Sequence, residues 1–350
     1  MAQQRILIVR NDKLGDFMLA WPTFALIKHY WPKVHITALV PEYTAAVAQL
    51  CPWIDELLID HSDGALTLSR RIRRGKFDAL LTLFSTGRVA IAAFLAAVPY
   101  RLAPATKIAQ FGYNNRLTQR RSRSEKPEYL YNCDLGYKLL QDFNRLPEDV
   151  EPTSDEVDLL PSVIARPLLR FNDDPQKLQN EFITKHRAID DSILIFIHPG
   201  SGGSANNLSI EQFARLAHQI AEKLKQKVLF VVTAGPGEEQ IAQHLVDKIS
   251  ENDIAINFKS ETGIEGFARI LQIADLFISG STGTLHIAGA MNCKTAGFYP
   301  RHRSATPLRW QTLNSPERRL AFTPPDGAIE DNLSTVDIDA ASSKIVEFLL

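Results

Sequence analysis

Cysteine is scarce in this 350-residue chain: Cys51, Cys133 and Cys293 stand far apart and odd in number. No CxxC pair occurs, so neither a disulfide framework nor a thiolate zinc site is indicated. A reducing, cytoplasmic setting is the expectation. Long apolar runs are also missing. The longest, residues 89–98, reaches about half of the roughly 20 residues that a spanning helix needs. The start of the chain lacks the charged, apolar and cleavage regions of a secretory signal. Any membrane contact is therefore expected to be peripheral. Excess charge of one sign is absent too. Lys plus Arg is 39 and Asp plus Glu is 40, a net charge of −1, which argues against a nucleic-acid partner. There is no HExxH, no GxxxxGK[ST] and no GxGxxG after the first strand pattern. Zincin, P-loop and dinucleotide readings thus lack their signatures. No metal and no cofactor is expected.

What is present is an ordinary globular balance, 45% hydrophobic and 23% charged, in a chain long enough for two domains. The first half alternates strand and helix patterns. Residues 6–9 form a β-branched apolar run typical of a buried parallel strand. A polar turn, Asn11 to Asp16, leads into a helix over 17–30 that Pro22 interrupts early. Strands follow at 34–40, 56–59 and 79–84, with helices at 45–50, 66–74 and 89–97. Such alternation implies a parallel sheet with helices on its faces. Residues 101–126 break the rhythm. They hold seven cations against one acid, Glu125, and read as a long loop. A helix at 129–143 precedes a Pro-, Asp- and Glu-rich connection over 146–174.

The second half restarts the alternation after a helix at 175–186. Strands are expected at 193–198, 228–233, 254–258, 276–279 and 295–299. Helices are expected at 209–224, 238–249, 264–273 and 284–291. In the first of these, Ser209 and Gln212 fit a capping box. The chain then divides into domains at 1–160 and 161–334, with a last helix in 335–350 packing back on the first domain. The fold class is α/β, two Rossmann-like domains whose parallel sheets face each other across a cleft.

Four stretches can carry chemistry. In the turn after the first strand, Gly15 admits close backbone approach and Asp16 stands at a helix start. Asp16 serves either as a general base or as an N-cap for free amides. His198-Pro199-Gly200-Ser201-Gly202-Gly203-Ser204 follows a strand and is either an anion-holding loop or an ordinary connection. Ser279 to His286 includes Ser281, Thr282, Gly283 and Thr284, small residues that open a helix and let a diphosphate meet its amides. His286 lies within that helix, where a structural role competes with a ligand role. The basic stretch, with Arg116, Arg120, Arg121 and Arg123, either binds an acidic acceptor or is a solvated loop.

These pieces, in this order, resemble glycosyltransferase family 9, the ADP-heptose:lipopolysaccharide heptosyltransferases. The likeness rests on ILIVRNDKLGDFMLAWP at 6–22, FIHPGSGG at 196–203, ADLFISGSTGTLHIAGAM at 274–291 and FYPRHRSATPLRW at 298–310. The resemblance implies a GT-B fold and metal-free transfer with inversion. It implies an ADP-heptose donor and an anionic glycolipid acceptor, Kdo–lipid A or a core heptose, met at the cytoplasmic face of the inner membrane. By the same resemblance Asp16 matches the catalytic base. Ser281, Thr282, Gly283, Thr284 and His286 match the segment that holds the donor diphosphate, and Arg116, Arg120, Arg121 and Arg123 lie in the acceptor region; Gly15, His198, Gly200 and Ser201 are expected on the donor side as well. Two departures stand out. Asn206-Asn207-Leu208-Ser209 replaces a Lys-Arg-Trp-Pro-like stretch, removing a lysine that neutralises donor phosphate, and Ser281 stands where members often carry Asp. Arg301, His302 or Arg303 is the expected substitute cation. The alternatives are a GT-B transferase of another nucleotide sugar, a sugar-nucleotide epimerase, or an inactive homologue that binds glycolipid.

Overall fold

The structure, a computed structural model, describes residues 3–106, 108–148, 163–186, 192–203 and 206–350. The chain forms two compact units, Met1–Ala165 and Arg166–Leu350. The first contains β1 (Arg5–Val9), α1 (Leu14–Met18), α2 (Trp21–Tyr30), β2 (His35–Pro41), α3 (Ala45–Ala48) and β3 (Glu56–Asp60). It continues with α4 (Ala65–Arg74), β4 (Ala79–Thr82), α5 (Gly87–Leu95), β5 (Tyr100–Pro104), β6 (Asn115–Leu117) and α6 (Glu128–Asp142). The strands make one parallel sheet, ordered β3-β2-β1-β4-β5-β6. Ile6 to Val9 are buried on both faces, which is why the run is apolar throughout rather than alternating. Leu7 and Val9 pack with Leu68 and Ile72 of α4 and with Val89 and Ala93 of α5.

Two features differ from the sequence expectation. The helix expected over 17–30 is two helices, because the chain breaks at Leu19–Ala20 and restarts with Pro22 at the second position of α2. There a missing amide costs nothing, since first-turn amides have no intrahelical partner. The stretch read as a loop over 101–126 supplies β5, β6 and a 3-10 turn at Ile108–Gly112. Arg101 interrupts the apolar pattern of β5, and β6 is a three-residue edge strand, too short to show a period. Residues 149–162 of the expected linker, Lys107 of the basic stretch and Ser204 lie outside the described residues.

The second unit contains α7 (Pro175–His186), β7 (Ile193–His198), α8 (Ile210–Leu224), β8 (Val228–Thr233), α9 (Glu239–Ile249) and β9 (Ile254–Phe258). After these come α10 (Gly263–Ile270), β10 (Leu276–Gly280), α11 (Gly283–Ala290), β11 (Thr295–Phe298), β12 (Arg319–Phe322) and α12 (Ile338–Leu349). Its parallel sheet runs β12-β11-β10-β7-β8-β9, the same winding as the first read from the other edge. The capping box is present: Ser209 Oγ accepts from the Gln212 amide at 3.2 Å, and Gln212 Oε1 accepts from the Ser209 amide at 3.0 Å. The sequence does not suggest β12, a four-residue strand that opens on an arginine. The last helix was expected against the first domain. Its apolar side, Ile338, Ala341 and Ile345, instead joins Leu216 and Ile220 of α8 in the second unit's core. Lys223 Nζ also donates to Ser342 Oγ at 2.6 Å.

This winding matters for function. In each unit the strand order reverses beside the first strand, between β1 and β4 and between β7 and β10. Loops leave in opposite directions there, which opens a crevice at the carboxyl ends of the strands.

Candidate active site

In the first unit the crevice is built around one buried arginine. Arg10 follows β1 and is 2% exposed. Its guanidinium donates to three carboxylates and an amide. Nε reaches Asp12 Oδ1 at 2.8 Å, Nη1 reaches Glu128 Oε1 at 3.4 Å and Asn132 Oδ1 at 3.2 Å, and Nη2 bonds Asp16 Oδ1. Glu128 and Asn132 stand one turn apart on α6. Gly136, one turn further, lets α6 approach α2, since a Cβ there would meet Thr23 Cγ2 at 3.0 Å. Asn132 also donates to the Leu19 carbonyl at 3.1 Å, at the α1–α2 break. The break and the helix pairing thus set the position of Asp16.

Among the described residues two cations, Arg10 and Arg121, pair with three carboxylates, Asp12, Asp16 and Glu128, with Arg121 Nη1 2.6 Å from Glu128 Oε1. One negative charge is left over in a buried setting. Burial raises the Asp16 pKa, Arg10 opposes it, and Asp12 and Glu128 raise it further, to about 7 from an ordinary 3.8. Burial disfavours the Arg10 cation, but the surrounding carboxylates outweigh that and hold it firmly protonated. Asp16 is not the N-cap: Lys13 holds that position, and Asp16 is the third residue of α1. Its carboxylate is committed to Arg10 and remains 14% exposed. Gly15 lies beside it within α1.

The basic stretch divides. Arg121 is held by Glu128 and by Gln119 Oε1 at 3.0 Å, and its guanidinium lies over the Tyr131 ring. Lys126 pairs with Asp134 at 2.7 Å. Arg123 makes an exposed pair with Glu125 at 3.4 Å. Arg116 and Arg120 are exposed and make no ion pair with any described residue. Of the four arginines expected to meet an acceptor, Arg121 is therefore part of the acid cluster's framework.

In the second unit, the carboxyl ends of β7 and β10 bring His198, Gly200 and Ser201 near Ser281, Thr282, Gly283 and Thr284. A Cβ on Gly280 would lie 2.7 Å from Asn207 Oδ1 and 3.0 Å from the Asn206 carbonyl, so the two loops touch. Asn207 fixes the first of them by donating to the Pro199 carbonyl at 2.8 Å and the Gly200 carbonyl at 3.3 Å. Thr282 is the N-cap of α11, but its hydroxyl bonds Ser279 Oγ at 3.0 Å and Thr284 Oγ1 at 2.8 Å rather than a helix amide. The Thr282 side chain makes no cap hydrogen bond to α11, and first-turn amides, which lack intrahelical partners, suit an anion. Glu238, unsuspected in the sequence, occupies the glycine loop. It accepts from the amides of Gly202 at 2.7 Å and Gly235 at 3.0 Å, and lies 3.5 Å from His198 Nε2.

Neither histidine supplies charge. Burial lowers the His198 pKa, and its Nδ1 meets Thr233 Oγ1 at 3.0 Å. Burial brings His286 down to about 4, and its Nδ1 has no hydrogen-bond partner among the described residues. The expected substitute cations are engaged elsewhere. Arg301 pairs with the exposed Asp326, His302 Nδ1 lies 2.9 Å from Ser304 Oγ, and Arg303 has a partner of its own. The residues that sequence reasoning missed are Arg10, Asp12, Glu128, Asn132 and Glu238. Arg10 and Asp12 flank the Gly-Asp turn and carried a local signal. The other three become visible only through tertiary packing. Among the described residues no cluster suits a metal ion and no helix is long and apolar enough to cross a membrane.

Comparisons with known proteins bear on this geometry. A sequence profile described as "Glycosyltransferase family 9 (heptosyltransferase)" matches residues 65–319. A Haemophilus influenzae protein named "Putative glycosyltransferase" is 42% identical over 99% of this chain and 97% of its own length. The "Lipopolysaccharide core heptosyltransferase OpsX" of the same organism is 22% identical over 90% of this chain and 83% of its own. The solved structure of Escherichia coli ADP-heptose LPS heptosyltransferase II superposes with a TM-score of 0.73, at 15% identity, over 99% of this chain and 97% of that one. At that identity the likeness is one of fold, two Rossmann-like domains of the GT-B type.

Proposed function

The chain belongs to glycosyltransferase family 9 (heptosyltransferase), and on that premise we propose that it moves a heptose from ADP-heptose to the inner core of lipopolysaccharide, on Kdo–lipid A or a core heptose. The observation that carries this reading is the surplus carboxylate at Asp16, buried beside Arg10 with a pKa raised to about 7. A base is most useful when its pKa lies near the working pH. Asp16 takes the proton of an acceptor hydroxyl. The hydroxyl oxygen bonds to the anomeric carbon from the face opposite the leaving group, which inverts that centre. The bond from that carbon to the diphosphate oxygen breaks, and ADP departs with the negative charge.

The second unit receives that charge. The amides of Gly283 and Thr284, with the hydroxyls of Ser281 and Thr284, meet the diphosphate as the helix dipole favours. Glu238 already takes the Gly202 amide, so the α11 end is the stronger anion site. Gly200, Ser201 and His198 shape the donor loop. Arg301 contributes to the donor once released from Asp326. Arg116, Arg120 and Arg123 hold anionic groups of the acceptor on the first unit.

A second reading, transfer of a different sugar, is favoured by Asn206 and Asn207 standing where the family's phosphate-binding lysine is expected. One experiment separates the readings. Purified protein is offered a panel of nucleotide sugars with a lipid A-type acceptor, and products are weighed by mass spectrometry. A gain of one heptose from ADP-heptose alone supports the proposal. A hexose gain from another donor replaces it with the second reading. Nucleotide binding without any product marks an inactive homologue.

A further inference from the structure

The first unit carries, around α4 and α5, a surface that the reaction does not use. From residue 64 to residue 124 the chain holds twelve Lys and Arg residues and a single acid, Asp78, although the whole protein is balanced. Arg71 and Arg88 pair with Asp60 and Asp63, Arg121 with Glu128 and Arg123 with Glu125, so the cations that bear on this face are Arg70, Arg73, Arg74 and Arg101. The same region holds exposed apolar side chains. On α5, Ile91, Phe94 and Leu95 are 53%, 60% and 38% exposed. Their spacing of three and four residues puts them on one side of the helix, opposite Val89, Ala92 and Ala93, which are in the core. The turn Ile108–Gly112 lies against α5, since a Cβ on Gly112 would meet the Ala90 carbonyl oxygen at 2.6 Å. That turn adds Ile108 and Phe111, 85% and 73% exposed.

Cations flank this patch. Arg101 donates to the Gly112 carbonyl at 3.0 Å and sits 5.9 Å from the centre of the Phe94 ring. On α4, Arg73 bonds the Leu95 carbonyl. Leu66 and Arg70 share that helix side by spacing, and Arg70, Arg73 and Arg74 are exposed. Neither α4, α5 nor the turn carries an acid. The patch begins near the acid cluster. Phe84, shortly before α5, has its ring 5.9 Å from the Arg10 guanidinium, and Ser85 bonds the Tyr113 hydroxyl at 3.0 Å.

We propose that this face of α5 and the Ile108–Gly112 turn, with the α4 arginines and Arg101 along its flank, docks on a bilayer of anionic phospholipid. Clustered exposed apolar side chains of this kind mark interaction surfaces. The cationic flank selects a negatively charged partner, and a bilayer offers both the charge and the apolar interior. The surface adds to the proposed function a means of reaching a lipid-borne acceptor. Its test uses neither donor nor acceptor, so it stands or falls separately.

The test is co-sedimentation of the full chain with vesicles of phosphatidylcholine, with and without phosphatidylglycerol. Binding is expected only with the anionic lipid and is expected to weaken as salt shortens the reach of surface charge. Arg70→Gln with Arg74→Gln should lower the partition coefficient by roughly tenfold or more, taking each cation near a charged bilayer as worth roughly fivefold. Phe94→Ser with Phe111→Ser should abolish detectable binding while leaving the melting temperature unchanged. Ile241→Ser, on α9 of the second unit, should bind as wild type. Absence of binding, equal binding to neutral vesicles, or full binding by both double variants overturns the proposal. So does a wild-type dimer in sedimentation velocity that Phe94→Ser with Phe111→Ser dissociates, which would assign the face to a second copy.

Discussion

Replacing Asp16 by Asn separates what this carboxylate does for turnover from what it does for stability. The acid is held at a pKa of about 7 instead of 3.8, a difference on the order of 4 kcal/mol between its two protonation states. The folded-state value lies above the unfolded one. The stabilising contribution is therefore complete below about pH 4 and is lost as pH rises through about 7. Asn mimics the protonated acid and carries no charge to strand. Relative to wild type, Asp16→Asn should gain stability from about pH 4 to about pH 7 and level off above it, as read by thermal melts across that window. Turnover should fall by roughly 10²–10⁴-fold, the scale of a lost general base. In wild type, kcat/KM should rise with pH along a limb centred near 7, because the base must be ionised to accept a proton. A limb centred near 4, or a variant that loses stability in parallel with wild type at every pH, would refute the charge-surplus argument.

Arg121→Gln removes one of the two cations facing three carboxylates. It should push the acid limb to higher pH and cost roughly 3–5 kcal/mol in denaturant melts, the scale of breaking a buried ion pair. Arg116→Ala with Arg120→Ala should raise the acceptor KM several-fold with kcat unchanged, the signature of lost uniform binding. Gly280→Ala forces a Cβ to 2.7 Å from Asn207 Oδ1. Relieving such overpacking costs about 1–3 kcal/mol, so calorimetry should find ADP bound about tenfold more weakly while vesicle binding is untouched.

The sequence made the periodic parts of the molecule legible. The short apolar runs became the central strands of both sheets, and Ser209 with Gln212 formed the capping box. Both crevice loops could be placed because they directly follow strands. The short edge strands β6 and β12 were not legible, since three or four residues show no period and each carries an arginine. The partners of Asp16 were hidden for a different reason. Arg10 ends an apolar strand and reads as a solvated cation until burial is known. Glu128 and Asn132 lie more than a hundred residues away and arrive only because Gly136 lets α6 settle on α2. Arg121 looked like a free cation in a basic loop, while its partner Glu128 lies past the stretch whose charge drew notice. The α11 helix start was legible from small residues after a strand. The occupation of the neighbouring glycine loop by Glu238 depends on the close approach of two loops that no local pattern encodes.

The central claim, transfer with Asp16 as the base, is tested most directly by following ADP release from ADP-heptose with and without a lipid A-type acceptor, in wild type and in Asp16→Asn. The account predicts release that requires acceptor, yields one inverted heptosyl linkage per ADP, and falls at least a hundredfold in the variant. Release that ignores the acceptor, or that persists undiminished in Asp16→Asn, would contradict it.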